Sequence, residues 1–211
     1  MGSLRRTSLQ LFFRLLYNEF AWAYDLVAWL ASLGHWKAWG RTAIAHLSGE
    51  RVLDLGHGPG HLLVALSRRG VSPVGLDLSP HMGRQAHHRV RRASRTVPLL
   101  QGRAQALPFR AASLDSVVST FPAEFIVDPS TVREAVRVLR PGGRLVVTAS
   151  ARFEGRGLAA RFLRGLYHAT GQNEPTPSAI EAWSRGMALP ARVTWEHVGR
   201  TAVMLVVAVK P

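Results

Sequence analysis

One segment constrains the fold of this chain more than any other: an apolar run that ends in three closely spaced glycines. Residues 51–55 read Arg-Val-Leu-Asp-Leu, and Gly56, Gly58 and Gly60 follow before the apolar helix pattern of residues 61–69. Glycine lets a backbone turn sharply and approach a ligand closely, because it has no Cβ atom. The segment therefore predicts a buried strand, a tight turn and a helix, with a ligand bound at the turn.

The alternation of short apolar runs and amphipathic stretches continues toward the C-terminus. Further strands are predicted over residues 73–78, 97–101, 116–120 and 144–149, and further helices over residues 80–92 and 129–139. Ser79 is the expected N-cap of the first of these helices, with Pro80 at its first position. Pro141-Gly142-Gly143 is expected to stop the second helix. This order is typical of an α/β fold, a doubly wound, Rossmann-like, mostly parallel sheet with helices on both faces.

The two ends of the chain are predicted to flank this sheet. Residues 5–48 carry apolar positions at helical spacing, and they predict an N-terminal helical cap that includes a helix from about Trp36 to Leu47. The remaining predicted elements are two helices, over residues 158–169 and 178–187, and two strands, over residues 191–198 and 201–209. These strands meet at Gly199-Arg200, which predicts a C-terminal antiparallel hairpin at the edge of the sheet.

The chain is strongly basic, with 27 Lys and Arg residues against 13 Asp and Glu residues and a formal net charge of +14. Such a charge is typical of proteins that bind nucleic acid or an anionic membrane surface. Nearly all of it comes from arginine in a chain that is also rich in Ala, Gly, Leu and Val, so a compositional bias accounts for it equally well. A nucleic acid or an anionic membrane surface is therefore the less favoured partner, and a small molecule the favoured one.

Two absences narrow the function classes further. With no cysteine, the chain has no disulfide, no thiolate metal site and no cysteine nucleophile. The most apolar region, residues 9–36, is interrupted by Arg14, Glu19 and Asp25, which argues against a membrane span. The arginine pair at residues 5–6 is not followed by the pattern of an export signal. We therefore expect a cytoplasmic location, and the histidine spacing predicts no metal site.

Asp77 is an acid near the end of the second predicted strand, as Asp54 is near the end of the first. Asp77 lies near the carboxyl end of residues 73–78, where nucleoside-binding folds of this class place a carboxylate that accepts the ribose hydroxyls. The glycine spacing is G-x-G-x-G rather than the G-x-G-x-x-G of dinucleotide-binding loops, which favours a ligand without a pyrophosphate. Two alternatives stay open: a glycine turn that binds no ligand, and an Asp77 that only caps the following helix. Ser79 holds the better capping position, which favours the ribose role.

Five ordered motifs resemble those of one enzyme family over residues 17–148. They are Leu53-Asp54-Leu55-Gly56-His57-Gly58-Pro59-Gly60, Asp77, Gly102-Arg103-Ala104-Gln105-Ala106-Leu107-Pro108-Phe109, residues 114–119 and residues 138–145. The sequence is similar there to the class I S-adenosylmethionine-dependent methyltransferases, in the type 11 group related to the methyltransferases of ubiquinone and menaquinone biosynthesis. The resemblance implies methyl transfer from S-adenosylmethionine to an O, N or C nucleophile on a small, lipophilic molecule, with S-adenosylhomocysteine as the product.

By this resemblance, the cofactor occupies the glycine turn and the carboxyl ends of the neighbouring strands. Gly56, Gly58 and Gly60 would line its methionine part, and Asp54 would order the loop or receive its ammonium group through water. Asp77 would bind the ribose. The other expected cofactor-binding residues are Leu78 and Met82, which would flank the adenine, Ala104 and Gln105 at the adenine edge, and Tyr24, His57, Ala106 and Phe121.

The resemblance also implies a division of the chain. We expect a single methyltransferase domain over residues 1–211. Within it, residues 1–48 would form a helical cap or lid, residues 49–149 the cofactor-binding core, and residues 150–211 the acceptor-side helices and the C-terminal hairpin. The sequence does not indicate an oligomeric state.

Two positions depart from the family pattern. Arg103 stands where an acid is frequent, and Gln105 stands where a second acid is common. The amide oxygen of Gln105 can still accept a hydrogen bond from the adenine amine. Because Arg103 replaces a frequent acid and no catalytic base is evident, a non-catalytic cofactor-binding or partner-binding module is a further alternative. The basic charge leaves open a methyltransferase that acts on RNA or an anionic phospholipid.

The sequence identifies no catalytic base. Methyl transfer needs one only if the acceptor arrives protonated, and the candidates are Glu124, His57 and Tyr24. Glu124 is alternatively a solvated acid at a helix start, and His57 is expected to point outward from its loop. Tyr24 belongs to an aromatic segment, with Phe20 and Trp22, that would cover the cofactor as a lid or pack on the sheet.

Overall fold

The computed structural model describes residues 32–122, 124–154 and 189–211. Its helices are α1 (Trp36–Thr42), α2 (His61–Ser67), α3 (Pro80–Arg92) and α4 (Pro129–Val138), with 3₁₀ turns over Ala43–His46 and Glu124–Val127. Its strands are β1 (Arg51–Leu55), β2 (Ser72–Asp77), β3 (Leu99–Gln101), β4 (Leu114–Thr120), β5 (Leu139–Phe153), β6 (Ala191–Val198) and β7 (Thr201–Val209). Most of the predicted helical cap and the helices predicted over residues 158–169 and 178–187 lie outside the described residues.

The strands in this part of the chain form one seven-stranded sheet in the order β3-β2-β1-β4-β5-β7-β6. β1 pairs in parallel with β2 and β4, and the β2–β3 and β4–β5 pairs are also parallel. β7 pairs antiparallel with both β5 and β6. The predicted Rossmann-like α/β fold with a C-terminal antiparallel hairpin at the edge is confirmed. The carboxyl ends of β1–β5 all lie at one edge of the sheet, called the carboxyl edge below.

The two central strands are buried on both faces, which explains their unbroken apolar runs. Leu53 of β1 pairs with Val117 of β4, and both side chains are fully buried in the larger core cluster. On the opposite face, Val52 packs in a second cluster with Leu62 and Leu66 of α2. A strand covered on both faces cannot shift its register without exposing apolar side chains, so the positions of its carboxyl-end residues are fixed.

α3 begins and ends where the sequence predicts. The Ser79 hydroxyl accepts a hydrogen bond from the backbone N–H of Met82, and Pro80 is the first helical residue. Met82, Ala86 and Val90 follow at intervals of four and are all buried against the sheet. The predicted N-cap is confirmed, and it fixes the start of α3 directly after the carboxyl end of β2.

The prediction was wrong for the segment after α4. The helix ends at Val138 and β5 begins at Leu139, whereas a helix to Leu139 and a strand from Arg144 were expected. Leu114 pairs with Leu139 and Ser116 pairs with Arg144, so the intervening residues of β5 bulge out of the pairing. Gly142, with φ of 74°, donates its N–H to the carbonyl oxygen of Lys210 at 2.8 Å. Lys210, directly after β7, thus supplies the acceptor for the backbone N–H of Gly142 in the bulge.

α1 is shorter than the predicted helix. It ends at Thr42, and a 3₁₀ turn carries the chain on toward Leu47. The Thr42 hydroxyl donates to the carbonyl oxygen of Trp39 at 2.6 Å. Hydrogen bonds of this kind compete with the regular helical pattern, so they favour a helix end at this point.

Asp115 anchors the amino end of the sheet. Its buried carboxylate accepts hydrogen bonds from the backbone N–H groups of Glu50 and Arg51 at 2.9 Å and from the Arg51 guanidinium at 2.7 Å. The Nη1 atom of Arg140 lies 3.2 Å from the Oδ1 atom of Asp115. Burial alone would raise the pKa of Asp115, but the hydrogen bonds from Arg51 and Glu50 outweigh it and lower the pKa to about 2. One carboxylate thus joins β4 to the starts of β1 and β5.

The substitution Asp115→Asn tests this anchor. The loss of charge-assisted hydrogen bonds should cost about 2 kcal/mol of unfolding free energy at pH 7, which lowers the melting temperature by about 4–8 °C in a domain of this size. Because the folded-state pKa lies below the ordinary value of 3.8, the stabilisation is complete above about pH 4 and is lost as the pH falls toward 2.

Thermal melts between pH 2 and 7 provide the measurement, with Glu50→Gln as the control at an exposed acid on the same edge. The difference between the wild type and Asp115→Asn should shrink below pH 4. A difference that stays constant with pH, or no difference at pH 7, would contradict the role of the Asp115 carboxylate.

Candidate cofactor-binding site

The glycine turn after β1 has the geometry of a ligand cradle. Gly56, Gly58 and Gly60 have φ values of 73°, 52° and 83°, in the left-handed region that strongly favours glycine. A Cβ atom built on Gly58 would have no other atom within 4 Å, so this part of the turn borders open space. A Cβ on Gly60 would lie 2.9 Å from the Cβ of Ala86, which shows how closely α3 approaches the turn.

Asp77, at the end of β2, is fixed by two backbone groups. One carboxylate oxygen accepts the N–H of Gly58 at 2.8 Å, and the other accepts the N–H of Ser79 at 2.8 Å. An ionised carboxylate offers about four lone-pair positions, so these bonds leave acceptor capacity for ligand hydroxyls. Asp77 does support the start of α3, as the capping alternative proposed, but the side-chain cap of that helix is Ser79.

Asp54 is a buried acid near the carboxyl edge, in unusual surroundings. Its side chain is 1% exposed, and neither carboxylate oxygen has a hydrogen-bond partner among the residues that the structure describes. Burial raises the pKa of Asp54 to about 8, and the neighbouring charge of Asp77 adds to the rise. A buried carboxylate without partners is costly, and in a native protein it calls for a functional explanation. A cationic ligand group would supply the missing partner.

The expectation that His57 points outward was wrong. The ring is 6% exposed, and its Cδ2 atom lies 2.7 Å from the position that a Cβ atom on Gly75 of β2 would occupy. The absence of a side chain at Gly75 therefore makes room for the imidazole. Burial lowers the pKa of His57, against the opposing effect of the Asp77 charge. The Nδ1 atom lies 2.6 Å from the carbonyl oxygen of Gly58.

A cavity of about 650 Å³ opens beside Asp77. His57 and Asp77 form its end at the glycine turn, while Arg84 of α3 and Gln101 of β3 line its sides. Leu78, directly after Asp77, is 64% exposed at the carboxyl edge. An apolar side chain in this position is ready to pack against a ligand ring.

The loop after β3 lies against Asp77, as the adenine role requires. The Gly102 N–H donates to the main-chain oxygen of Asp77 at 3.0 Å. In the following residues Ala104 is buried and Ala106 is exposed. The side-chain amide of Gln105 donates to the Asp128 carboxylate at 3.0 Å, so Asp128 orients this amide group. The expectation that Met82 flanks the adenine is not met, because its side chain is fully buried in the packing of α3 and does not line the cavity.

An aromatic group lies beyond the carboxyl ends of β4 and β5. Phe121, directly after β4, has φ of 49°, a strained value for a bulky residue. Its ring stacks on Trp36 with the centroids 4.3 Å apart, and Trp39 packs beside them. Trp39 donates its Nε1–H to Thr201 at 2.8 Å. No role is predicted for Trp36 or Trp39 from the sequence, although their spacing of three in a helical pattern places them on one side of α1.

A second aromatic contact was also missed. The ring of Phe125 lies 2.9 Å from the position of a Cβ on Gly56, so it closes one side of the glycine turn. Tyr24 and the side chain of Glu124 lie outside the described residues. Within the described ranges, no three His, Asp or Glu side chains group as metal ligands, and no helix is long and apolar enough to cross a bilayer.

The sequence matches the family model of a methyltransferase domain over residues 53–147. A demethylmenaquinone methyltransferase from Mycobacterium sp. (strain KMS) is 32% identical, over 93% of this chain and 93% of that protein. The chain belongs to the class I S-adenosylmethionine-dependent methyltransferases, in the type 11 group. A demethylmenaquinone methyltransferase from Thermus thermophilus is 36% identical over 63% of each chain. The methyltransferase therefore has S-adenosylmethionine as its cofactor.

Solved structures share the fold of this methyltransferase at low sequence identity. A geranyl diphosphate C-methyltransferase from Streptomyces coelicolor, solved with S-adenosylhomocysteine, has a TM-score of 0.63 and 16% identity, covering 82% of this chain and 79% of that one. A putative S-adenosylmethionine-dependent methyltransferase from Methanococcus maripaludis has a TM-score of 0.67 and 17% identity, covering 90% and 91%. These similarities concern the architecture.

The residues at the carboxyl edge suit S-adenosylmethionine in three respects. The cofactor has an ammonium group and a sulfonium, and Asp54 is a buried acid to which no described residue donates a hydrogen bond. It has two ribose hydroxyls, and Asp77 has spare acceptor capacity. Its methionine part must pass close to the main chain, and Gly58 borders open space.

The variant Asp54→Asn tests whether the buried Asp54 carboxylate lowers the folding stability of the methyltransferase when no cofactor is bound. Because the folded-state pKa of about 8 lies above the ordinary 3.8, the wild type binds a proton at Asp54 that the unfolded chain releases, and its stability falls as the pH rises between about 4 and 8. The asparagine variant lacks this loss.

We expect Asp54→Asn to melt several degrees above the wild type at pH 8, with the difference vanishing near pH 4. Melting curves of both proteins across this pH range provide the measurement. An asparagine variant that is less stable than the wild type at every pH would contradict the assignment of Asp54 as an uncompensated acid.

Proposed function

We propose that this methyltransferase acts on a lipophilic, aromatic small molecule, with its cofactor held between Asp54 and Asp77. The observation that carries the cofactor placement is the buried carboxylate of Asp54 beside the glycine cradle, which has no hydrogen-bond partner in the described ranges. When bound, S-adenosylmethionine supplies an electrophilic methyl group on a positively charged sulfur. The chain's own residues bind, orient and exclude water.

Asp77 and the loop after β3 would hold the adenosine end. The Asp77 carboxylate accepts the two ribose hydroxyls with the capacity that Gly58 and Ser79 leave. Leu78 would cover one face of the adenine, while the Ala104 backbone and the Gln105 amide oxygen meet its edge. Met82 is fully buried in the packing of α3 and would act only by supporting this part of the fold, while the exposed Ala106, in the loop after β3, would lie near the adenine.

The methionine end would lie along Gly56, Gly58 and Gly60. Asp54 would receive the ammonium group, directly or through water, so that a positive charge compensates the buried carboxylate. Phe125 packs against Gly56 and closes one side of the turn to solvent. A dry, pre-organised site lowers the barrier by orienting the two reactants, an effect worth up to about 7–11 kcal/mol in well-oriented systems.

The aromatic group beyond β4 and β5 would hold the acceptor. Trp36 and Phe121 present stacked rings beyond the carboxyl ends of β4 and β5, and the methyl group of a cofactor bound along the glycine turn would face them. Stacked aromatic side chains favour a planar, apolar ligand, and relatives over nearly the full chain are demethylmenaquinone methyltransferases. A carbon nucleophile on an electron-rich ring loses its proton after attack. Glu124 and Tyr24 therefore remain candidates for a base rather than requirements, and His57, whose buried ring packs on Gly75 of β2, is not favoured for that role.

A polyanionic acceptor is the second candidate, and the charge of α3 favours it. This helix contains no acidic residue, and its outer side carries Arg84, Arg91 and Arg92 in exposed positions. An RNA or an anionic phospholipid would be attracted to such a surface, with a strong dependence on salt.

Two further expectations belong to the main proposal. The methyltransferase would be cytoplasmic, and residues 1–211 would form a single domain.

Binding of S-adenosylhomocysteine tests the cofactor placement. At about one hundred times its dissociation constant the ligand adds about 2.7 kcal/mol of stability, which raises the melting temperature by about 5–10 °C. We expect this shift in the wild type and in Glu50→Ala, an exposed acid at the opposite edge, and its loss in Asp77→Ala. NAD should give no shift. An unchanged shift in Asp77→Ala would overturn the placement.

Methyl transfer to a defined panel tests the acceptor class. The purified protein is incubated with methyl-labelled S-adenosylmethionine and either reduced demethylmenaquinone, geranyl diphosphate, RNA or vesicles of an anionic phospholipid. We expect label in the quinol alone. Label in RNA or phospholipid, suppressed by salt, would replace this proposal with the second candidate.

Trp36→Ala tests the aromatic wall within the same assay. Loss of one stacking surface should raise the KM for the quinol by about three- to tenfold and leave the KM for S-adenosylmethionine unchanged. Trp195→Ala, on β6 of the hairpin, is the matched control. Equal changes in both KM values would contradict an acceptor role for Trp36.

A further inference from the structure

We propose that His57 is a positioning residue for the ribose-binding carboxylate. It fixes the peptide between Gly58 and Pro59 and, through the Gly58 backbone, holds Asp77 in place. It takes no part in proton transfer at the acceptor. This inference rests on the proposed function of Asp77 and adds a residue for which the family resemblance gave only a general place in the site.

A continuous series of short hydrogen bonds connects the imidazole to Asp77. The His57 Nδ1 atom lies 2.6 Å from the carbonyl oxygen of Gly58. The N–H of the same glycine donates to the Asp77 carboxylate at 2.8 Å. Gly58 has φ of 52°, and among the described residues, apart from its two chain neighbours, no atom lies within 4 Å of its Cβ position. Hydrogen bonds from the imidazole and to the Asp77 carboxylate therefore restrain this residue, the type with the greatest backbone freedom.

The tautomer follows from the partner. A carbonyl oxygen only accepts hydrogen bonds, so Nδ1 must carry the proton and donate it to Gly58. Burial lowers the pKa of His57, which agrees with a neutral ring. In this tautomer the one N–H is used for the bond to Gly58 and only the Nε2 lone pair remains, so the position of the ring decides whether it could accept a proton from the acceptor.

The place of the ring separates it from the acceptor. His57 packs on Gly75 of β2, on one side of β1 in the sheet, whereas β4 and β5 lie on the other side. The stacked rings of Trp36 and Phe121 follow β4 and β5. The imidazole borders the cavity that Asp77 also lines. His57 therefore serves the adenosine end of the site.

The test compares two ligands in three proteins. The ligands are S-adenosylhomocysteine and its 2′,3′-dideoxy analogue, which lacks both ribose hydroxyls. The proteins are the wild type, His57→Leu, which removes the donor, and His57→Asn, whose side-chain N–H can reach the Gly58 oxygen as Nδ1–H does. His197→Leu, at an exposed histidine of the hairpin, is the control. Calorimetry gives the dissociation constants, and melting curves show that each variant is folded.

We expect His57→Leu to weaken S-adenosylhomocysteine by about tenfold, the effect of about one hydrogen bond. The dideoxy analogue should change by less than about twofold, because it makes no use of Asp77. His57→Asn should restore most of the affinity. A purely structural role would instead weaken both ligands equally.

Three outcomes would overturn the inference: an equal loss for both ligands, an unchanged affinity in His57→Leu, or no recovery in His57→Asn. Each of these presupposes that the wild type binds S-adenosylhomocysteine more tightly than its dideoxy analogue. If the wild type binds neither ligand, or binds both equally, the proposed role of Asp77 fails first, and the inference about His57 fails with it.

Discussion

The hydrogen bond from the Gly58 N–H to the Asp77 carboxylate joins the ends of two neighbouring strands, and the candidate site depends on it. β1 delivers the glycine turn and β2 delivers the acid, and their parallel pairing brings both to the carboxyl edge. The first glycine of the turn is tied in the same way, because the Gly56 N–H donates to the carbonyl oxygen of Leu76 at 2.7 Å. The cradle is therefore part of the sheet's hydrogen bonding rather than a separate loop.

The buried acids at the two ends of the sheet have opposite surroundings. At the amino end, Asp115 is surrounded by donors and its pKa is lowered to about 2. At the carboxyl end, Asp54 has no donor within the described part of the chain, and its pKa is raised to about 8. The first acid stabilises the fold, and the second, when it is ionised, destabilises it, which in the proposed function the cofactor's ammonium group would offset. Uncompensated groups of this kind are typical of functional sites, where stability is given up for binding.

Local signals in the sequence predicted the elements that local chemistry determines. Ser79 and Pro80 fixed the start of α3, and the glycine spacing fixed the turn, because caps and left-handed backbone depend on neighbouring residues alone. The start of β5 escaped prediction because Lys210, far along the chain, satisfies the backbone of Gly142. The burial of His57 escaped it because the room for the ring comes from Gly75 on another strand. Contacts between distant residues leave no periodic pattern.

A crystal structure of the protein grown with S-adenosylhomocysteine tests the central claim most directly. The account predicts the ribose hydroxyl oxygens at about 2.5–3.0 Å from the Asp77 carboxylate, the amino group of the ligand over Asp54, and its chain along Gly58. A ligand bound at another edge of the sheet, or with its ribose turned away from Asp77, would contradict it.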